Sequence, residues 1–195
     1  MLRKLLPLIA LLLLSQLAFT QQTNKPSDGT SSAQDTVFVI RTVFLVRHAE
    51  RADEPRQDPP LTEKGVARSE ALARLLSTAD IKAIYTSQFA RTKLTAEPLA
   101  KQVGVPITAI SLKSSPSNPR AIAEESTKET VDKILSNVGG GSVLLVGHSN
   151  SIPDVIKMLG GDAPTIDEKK FDDLFVVTVY ANHRAKVTHL KYGTE

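Results

Sequence analysis

Apolar and polar positions alternate along this chain in blocks typical of strands and helices that follow one another in turn. Continuous apolar runs such as Val43–Val46 and Val143–Val146 predict strands buried on both faces. The predicted strands cover residues 42–46, 81–86, 107–110 and 142–146, followed by a hairpin of residues 174–181 and 185–192. The hairpin is expected to turn at residues 182–184.

Helical patterns separate these strands. The predicted helices cover residues 62–76, 89–103, 119–135 and 152–159. Thr62 is a suitable N-cap for the first, with Val66, Ala73 and Leu76 on its apolar face. Gly104 is a natural C-cap for the second helix, within which Pro98 predicts a kink or a late helix start.

Strands that alternate with helices indicate a mainly parallel sheet covered on both faces. We therefore predict an α/β fold: a three-layer α/β/α sandwich with a mainly parallel central sheet and a C-terminal hairpin. In such sheets the functional site lies beyond the carboxyl ends of the strands. This rule selects Arg47–His48 after the first strand and Gly147–His148 after the fourth.

The N-terminal region has a different character from the rest of the chain. Arg3 and Lys4 precede an apolar run from Leu5 to Leu14, which indicates a signal peptide over residues 1–20. The run is too short to span a bilayer, so an uncleaved membrane anchor is the less favoured alternative. Residues 21–35 are polar and predict a disordered tether. We expect an exported protein, periplasmic or secreted, with one folded domain over residues 36–192 and no membrane association after cleavage.

Composition narrows the possible chemistry. The chain has 195 residues and no cysteine, which excludes a disulfide scaffold, a thiolate zinc site and a cysteine nucleophile. Aromatic residues make up 5% and tryptophan is absent, which argues against a stacking surface for nucleic acid. Loss of Arg3 and Lys4 with the signal would lower the formal net charge from +3 to +1, so the overall charge does not indicate a polyanionic partner.

The selected strand ends carry residues suited to phosphoryl chemistry. His48 and His148 follow two strands, Arg47 stands beside the first, and Arg91 lies in the first turn of the second helix. Guanidinium groups bind phosphate oxygens in pairs of hydrogen bonds. An imidazole can attack phosphorus to form a covalent intermediate, and a second imidazole can stabilise the developing charge.

Four segments in order resemble the histidine phosphatase superfamily, which has the phosphoglycerate-mutase-like fold, and in particular its small phosphohistidine-phosphatase-like branch. Leu45-Val46-Arg47-His48-Ala49-Glu50 is similar to the family's arginine-histidine-glycine signature, with Ala49 in place of glycine. The other three are Pro60-Leu61-Thr62-Glu63-Lys64-Gly65, the stretch from Tyr85-Thr86-Ser87 through Arg91 to Thr95-Ala96-Glu97, and Val146-Gly147-His148-Ser149.

The resemblance implies that His48 is the phosphorylated nucleophile and that Arg47, Arg91 and His148 bind the phosphoryl group. Arg51 resembles an extra arginine of the acid-phosphatase branch and is added to the phosphate-binding set. The family needs no metal and no cofactor. The expected activity is hydrolysis of phosphomonoesters, and the expected partner is a phosphorylated small molecule or a phosphoprotein.

The group that protonates the leaving oxygen is not identified by the resemblance. Ser149 stands where the acid-phosphatase branch has an aspartate, and residues 112–118 lack the glutamate of mutase-like members. Glu50 and Asp53, both near the nucleophile, are the candidate acids.

Two other functions compete with this interpretation. Residues 146–151 differ by one residue from the nucleophile elbow of serine hydrolases, with Ser149 as nucleophile. The acid would then be Asp162, Asp167 or Asp172, and the base His183 or His189. The third function is a phosphate-binding module without turnover.

Overall fold

The computed structural model describes residues 39–113, 117–136 and 140–193. The elements within them belong to one compact unit, Thr36–Glu195. The predicted signal peptide and tether lie outside the described residues. The glycine run at residues 139–141 predicts a turn, and residue 139 of it also lies outside them. None of the helices within the described residues is long and apolar enough to cross a membrane.

The elements alternate as the sequence pattern predicts. Six strands and four helices follow in the order β1 Val39–Arg47, α1 Glu63–Leu76, β2 Ile81–Ser87, α2 Ala90–Val103, β3 Ile107–Ile110, α3 Pro119–Ser136, β4 Ser142–Gly147, α4 Ile152–Met158, β5 Asp173–Tyr180 and β6 Ala185–Lys191.

The strands form one sheet in the order β3-β2-β4-β1-β5-β6. The four strands β3, β2, β4 and β1 are parallel, while β5 runs antiparallel to β1 and forms the closing hairpin with β6. The predicted α/β class, mainly parallel sheet and C-terminal hairpin are confirmed.

Helices cover both faces of the sheet because successive strand side chains point to opposite sides. Val43 and Leu45 of β1 pack with residues of α3 and α4. Val46 of the same strand packs in a second core, with residues of α1 and α2. The middle strands are therefore buried on both faces, which explains their continuous apolar sequence.

Two local expectations need correction. Val66 was expected on the buried face of α1 but is 46% exposed, because the buried stripe passes through Gly65, Arg68 and Leu72 instead. Of the two outcomes predicted for Pro98, the late helix start is wrong, because α2 runs from Ala90 to Val103 with the proline inside it. The kink stays a prediction. The predicted caps are confirmed: the Thr62 side chain accepts from the Gly65 N–H, and Gly104 is left-handed with φ 70°.

Candidate active site

The two histidines meet at the carboxyl edge of the sheet. β1 and β4 are parallel neighbours paired with Arg47 opposite Gly147, so the next residue of each strand is a histidine. The His48 N–H donates to the Gly147 carbonyl at 3.0 Å. The two imidazole ring centroids lie 5.4 Å apart in an edge-to-face arrangement. Strand register alone thus brings His48 and His148 together.

The His48 ring is held in one tautomer. Its Nδ1 lies 2.8 Å from the Ala49 carbonyl oxygen, which can only accept, so Nδ1 carries the proton. Nε2 then holds the lone pair. The Ala49 N–H in turn donates to Thr95 Oγ1 at 2.9 Å, which fixes the loop behind the ring. His48 is 4% exposed, and its one free nitrogen is the atom that can act as a nucleophile.

His148 is positioned by a pair of buried hydroxyls. Its Nε2 lies 3.0 Å from Ser87 Oγ at the end of β2, and Ser87 Oγ is hydrogen-bonded to Thr92 Oγ1 at 2.9 Å. Thr92 belongs to the first turn of α2 and its hydroxyl donates to the Phe89 carbonyl at 2.8 Å. Because Nε2 of His148 is engaged, Nδ1 is the nitrogen left for a bound group. Ser87 belongs to the motif recognised in the sequence, but its contact with His148 was not predicted.

Three arginines surround this pair. The charges of Arg47, Arg51 and Arg91 all act on His48. The Nε atoms of Arg47 and Arg91 are buried and have no hydrogen-bond partner among the described residues. A buried donor without a partner is costly, so these two atoms indicate a site for an anionic ligand. Arg51 is exposed and lies at the rim.

Two phenylalanine rings hold the arginines in place. The Arg47 guanidinium lies 4.2 Å from the centre of the Phe171 ring, and that of Arg91 lies 4.2 Å from the centre of the Phe89 ring. Cation–π contacts of this kind fix a guanidinium without neutralising it. The Phe89 ring also meets His148 edge-on, with centroids 5.7 Å apart. Neither ring was predicted as a site residue, and Phe171 lies in a loop without a sequence motif.

Burial and the arginine charges keep both imidazoles neutral. Burial, then the charges of Arg47 and Arg91, lowers the pKa of His48 to about 4, although its hydrogen bond to Ala49 acts in the opposite direction. Burial, then the charge of Arg91, lowers the pKa of His148 to about 3. A neutral His48 retains its lone pair for attack at any pH above about 4.

These pKa shifts predict a pH-dependent stability. In the unfolded chain both histidines bind protons below about pH 6.5, whereas the folded protein excludes those protons until pH 4 or lower. Stability is therefore lost as the pH falls from 6.5, by about 2 kcal/mol for each histidine at pH 5. The free energy of unfolding, measured in urea at pH 7 and pH 5, should fall more for the wild type than for a His48→Gln/His148→Gln variant. Equal pH dependence in both proteins would contradict it.

Glu50, one of the two candidate acids, has a structural role instead. Its carboxylate accepts from Arg68 Nε at 2.9 and 3.1 Å and from Arg68 Nη2 at 2.9 Å. Partial burial raises the pKa of Glu50, but the hydrogen bonds and charge of Arg68 outweigh it and hold the pKa below its usual value. A carboxylate that is paired and stabilised in its ionised form is a poor proton donor. The geometry does not support Glu50 as the leaving-group acid.

The opening above the histidines, which we call the site mouth, is lined by residues from five parts of the chain. They are His48, Arg51, Phe89, Arg91, Leu112, His148, Ser149, Asn150 and Glu168. Asp53, the second candidate acid, is exposed and is not among them. Glu168 was not predicted as a site residue.

A second cavity of about 180 Å³ adjoins the site mouth and shares Leu112, His148 and Asn150 with it. Its other walls come from β2, β3 and β4 of the sheet and from α3 and α4, including several hydroxyl-bearing residues and the carboxylate of Asp154. The cavity gives room for part of a ligand beside the two histidines.

A serine-hydrolase triad around Ser149 is not assembled. His189 is hydrogen-bonded to Asp173 at 2.6 Å on β6, which lies three strands from β4 in the sheet order, roughly 14 Å away. His183 is exposed at the hairpin turn, at the far end of β5 from the site. The Ser149 hydroxyl instead donates to Glu168 Oε1 at 3.4 Å. Ser149 therefore has no imidazole base from either histidine.

Comparisons with known proteins agree with this geometry. Residues 43–111 match the family model of the histidine phosphatase superfamily, branch 1. No curated protein sequence matches the chain at a significant level.

Several solved structures share the fold. The protein histidine phosphatase SixA, complexed with tungstate, is 22% identical with a TM-score of 0.58 over 77% of this chain and 96% of that chain. A mycobacterial glucosyl-3-phosphoglycerate phosphatase is 15% identical, with a TM-score of 0.55 over 78% and 99%. A phosphoglycerate mutase from Bacillus anthracis is 20% identical, with a TM-score of 0.57 over 77% and 92%.

The family match covers the first histidine and Arg91, and the shared fold extends over the second histidine. The chain is thus similar to the histidine phosphatase superfamily over residues 43–111, and it shares its fold with the solved phosphatase structures.

Proposed function

We propose that this protein is a phosphatase of the histidine phosphatase superfamily, which hydrolyses phosphomonoesters without a metal ion, through a phosphohistidine formed on His48. The observation that supports the proposal is the free Nε2 of a neutral, buried His48 beside arginines whose buried Nε atoms have no partner among the described residues. The arrangement suits a nucleophile surrounded by donors for an anionic phosphoryl group.

The proposed reaction has two steps. In the first, the Nε2 lone pair of His48 attacks phosphorus, the bond to the leaving oxygen breaks, and that oxygen takes up a proton. In the second, water attacks the phosphohistidine, the P–N bond breaks and its electron pair returns to Nε2. Arg47, Arg91 and Arg51 bind the phosphoryl oxygens throughout. They supply the positive charge that a metal ion supplies in other phosphatases.

His148 is proposed to stabilise the transition state. Its Nε2 is held by Ser87, so its Nδ1 is available to donate to a phosphoryl oxygen once it carries a proton. The negative charge of a bound phosphoryl group raises the pKa of a neighbouring imidazole and so favours that proton. A phosphate-binding module without turnover would not need His48 to be held in a nucleophilic tautomer.

The substrate is proposed to be a phosphorylated small molecule or a phosphoprotein. Both classes occur among the structures that share the fold, one described as a protein histidine phosphatase and one as a glucosyl-3-phosphoglycerate phosphatase. We further propose that the protein is exported, with a signal peptide over residues 1–20 and a tether over residues 21–35. The basic start and short apolar run support this proposal.

Hydrolysis of 4-nitrophenyl phosphate by the purified protein tests the proposed function. We expect turnover that EDTA does not change and that vanadate, an analogue of the pentacoordinate phosphorus, inhibits. A fluorophosphonate that labels nucleophilic serines should leave Ser149 unmodified. Loss of activity in EDTA with recovery on adding a divalent metal would contradict metal independence, and labelling of Ser149 would support the serine hydrolase instead.

A further inference from the structure

We propose that Glu168 is the catalytic acid that protonates the leaving oxygen, an inference that rests on the proposed phosphatase function. Displacement at phosphorus places the attacking and leaving atoms in line. The attacking His48 lies at the floor of the site and is 4% exposed, so the leaving oxygen must face the site mouth. A proton donor has to be found there.

Glu168 is the only carboxylate among the described residues that line the site mouth. It is exposed, as a group that meets a leaving group at an open mouth must be, and one carboxylate oxygen accepts from the Ser149 hydroxyl at 3.4 Å. Ser149 directly follows His148 in the chain, so this contact holds the carboxylate beside the segment that carries the second histidine. Glu168 also acts electrostatically on Arg47, which shows that its charge lies close to the phosphate-binding donors.

The loop that carries Glu168 is tied to the nucleophile's own strand. The Arg47 side chain donates through Nη1 to the backbone carbonyl of Glu168, and to that of Lys170 at 3.1 Å. The Phe171 ring lies under the same guanidinium, with its centroid 6.0 Å from that of the His48 ring. An arginine that binds phosphate on one side and this loop on the other fixes the distance between the phosphoryl group and Glu168.

The other acidic residues near the site are less well placed. Glu50 is committed to Arg68, and Asp53 lies outside the site mouth. Asp58 also lies outside it and accepts from the Ala90 N–H, with its carboxylate 4.0 Å from Arg91. Asp154 lines the adjoining cavity rather than the site mouth. It would meet the leaving group only if that group entered the cavity, so it serves as the competing carboxylate in the test.

Glu168 gives up one proton in the first step and regains one in the second. In the first, the carboxyl proton of Glu168 passes to the leaving oxygen as the P–O bond breaks and the P–N bond to His48 forms. The free alcohol departs and Glu168 becomes a carboxylate. In the second, this carboxylate takes a proton from the water that attacks phosphorus, the P–N bond breaks, and hydrogen phosphate leaves. Glu168 is then protonated for the next turnover.

Dependence on the leaving group tests the assignment. Phenyl phosphate releases a basic phenolate that needs a proton, whereas 2,4-dinitrophenyl phosphate releases a stable anion that does not. We expect Glu168→Gln to lower kcat/KM for phenyl phosphate by roughly 100-fold and for 2,4-dinitrophenyl phosphate by less than about threefold. Glu168→Asp, which keeps a carboxyl group, should retain more activity on phenyl phosphate than Glu168→Gln.

Two matched variants serve as controls. Asp167→Asn removes a neighbouring negative charge that also acts on Arg47 and keeps an acceptor for the Lys169 N–H. Any change that it causes should therefore be the same for both substrates, since no proton donor is lost. Asp154→Asn should likewise show no dependence on the leaving group. If Asp154→Asn instead shows the leaving-group dependence, the acid is Asp154 and the proposal for Glu168 is wrong.

The remaining outcomes also decide the question. An equal loss on both substrates in a folded Glu168→Gln protein would show that Glu168 only positions the loop, and no loss would show that it is not the acid. Either result leaves the phosphohistidine mechanism intact as long as the wild type hydrolyses 2,4-dinitrophenyl phosphate through His48. A wild type that is folded but hydrolyses neither ester would refute the proposed function itself.

Discussion

Replacing His48 with alanine is expected to lower kcat for 4-nitrophenyl phosphate by at least about 1,000-fold, because the imidazole nitrogen proposed to attack phosphorus is lost. Since Arg47 and Arg91 remain, the variant should still bind phosphate or vanadate. Steady-state kinetics and vanadate binding, measured on the same preparation, separate the loss of chemistry from a loss of the pocket.

His183→Asn is the matched control for this change. His183 is exposed at the hairpin turn, away from the site, with φ 59°, a conformation that asparagine tolerates better than alanine. The control should retain full activity. Substantial activity in His48→Ala, in a preparation free of wild-type protein, would remove His48 from the mechanism and with it the proposed intermediate.

Replacing His148 with alanine is the second large effect we expect, a loss of roughly 100- to 1,000-fold in kcat. The reason is that a donor aimed at the transferring phosphoryl group is lost while His48 remains able to attack. KM should change much less than kcat, because the arginines carry most of the ground-state binding. Kinetics at saturating substrate measure this directly.

The Ser87→Ala variant tests whether the Ser87 hydroxyl holds the His148 ring in position. This hydroxyl contacts His148 Nε2 at 3.0 Å, so its removal should make the ring more mobile but leave the imidazole donor present. We expect a loss smaller than that of His148→Ala, with the two changes far from additive when combined, because both act through the same imidazole. Additive losses, or a larger loss in Ser87→Ala, would mean that His148 does not act as a donor held by Ser87.

The residues on β1 and β4 could be predicted because parallel-sheet geometry is strongly encoded in sequence. Continuous apolar runs identify the central strands, and the residue after each run falls at the same edge of the sheet. His48 and His148 satisfy this rule directly. Arg91 followed from its place in the first turn of the helix after β2, where the motif from Ser87 to Arg91 resembles the family.

The rule that functional residues follow the strand ends could not identify the site residues that lie in the irregular segment before β5. Glu168 and Phe171 lie in the irregular segment between α4 and β5, which has no periodicity to place it. Both residues are positioned by tertiary contacts with Arg47, which lies more than a hundred positions earlier in the chain. The sequence pattern alone does not indicate such long-range contacts.

Glu50 was predicted as a candidate acid, but tertiary contacts that the sequence does not reveal direct it away from the site. Its proximity to His48 in sequence made it a candidate acid, but its carboxylate turns away to Arg68 on α1, 18 residues later. The close approach of α1 requires Gly65, where a Cβ atom would lie 2.2 Å from the Glu50 carbonyl oxygen. Sequence proximity to a nucleophile therefore did not predict which carboxylate faces the site.

The most direct test of the phosphohistidine mechanism is to trap and map the phosphoenzyme. The protein is mixed with a ³²P-labelled phosphomonoester, quenched in alkali during turnover and digested with trypsin, which releases residues 48–51 as one peptide. The mechanism predicts an alkali-stable, acid-labile phosphate on that peptide at His48, and none in the His48→Ala protein. Label on the peptide that contains Ser149, or unlabelled protein during sustained turnover, would contradict it.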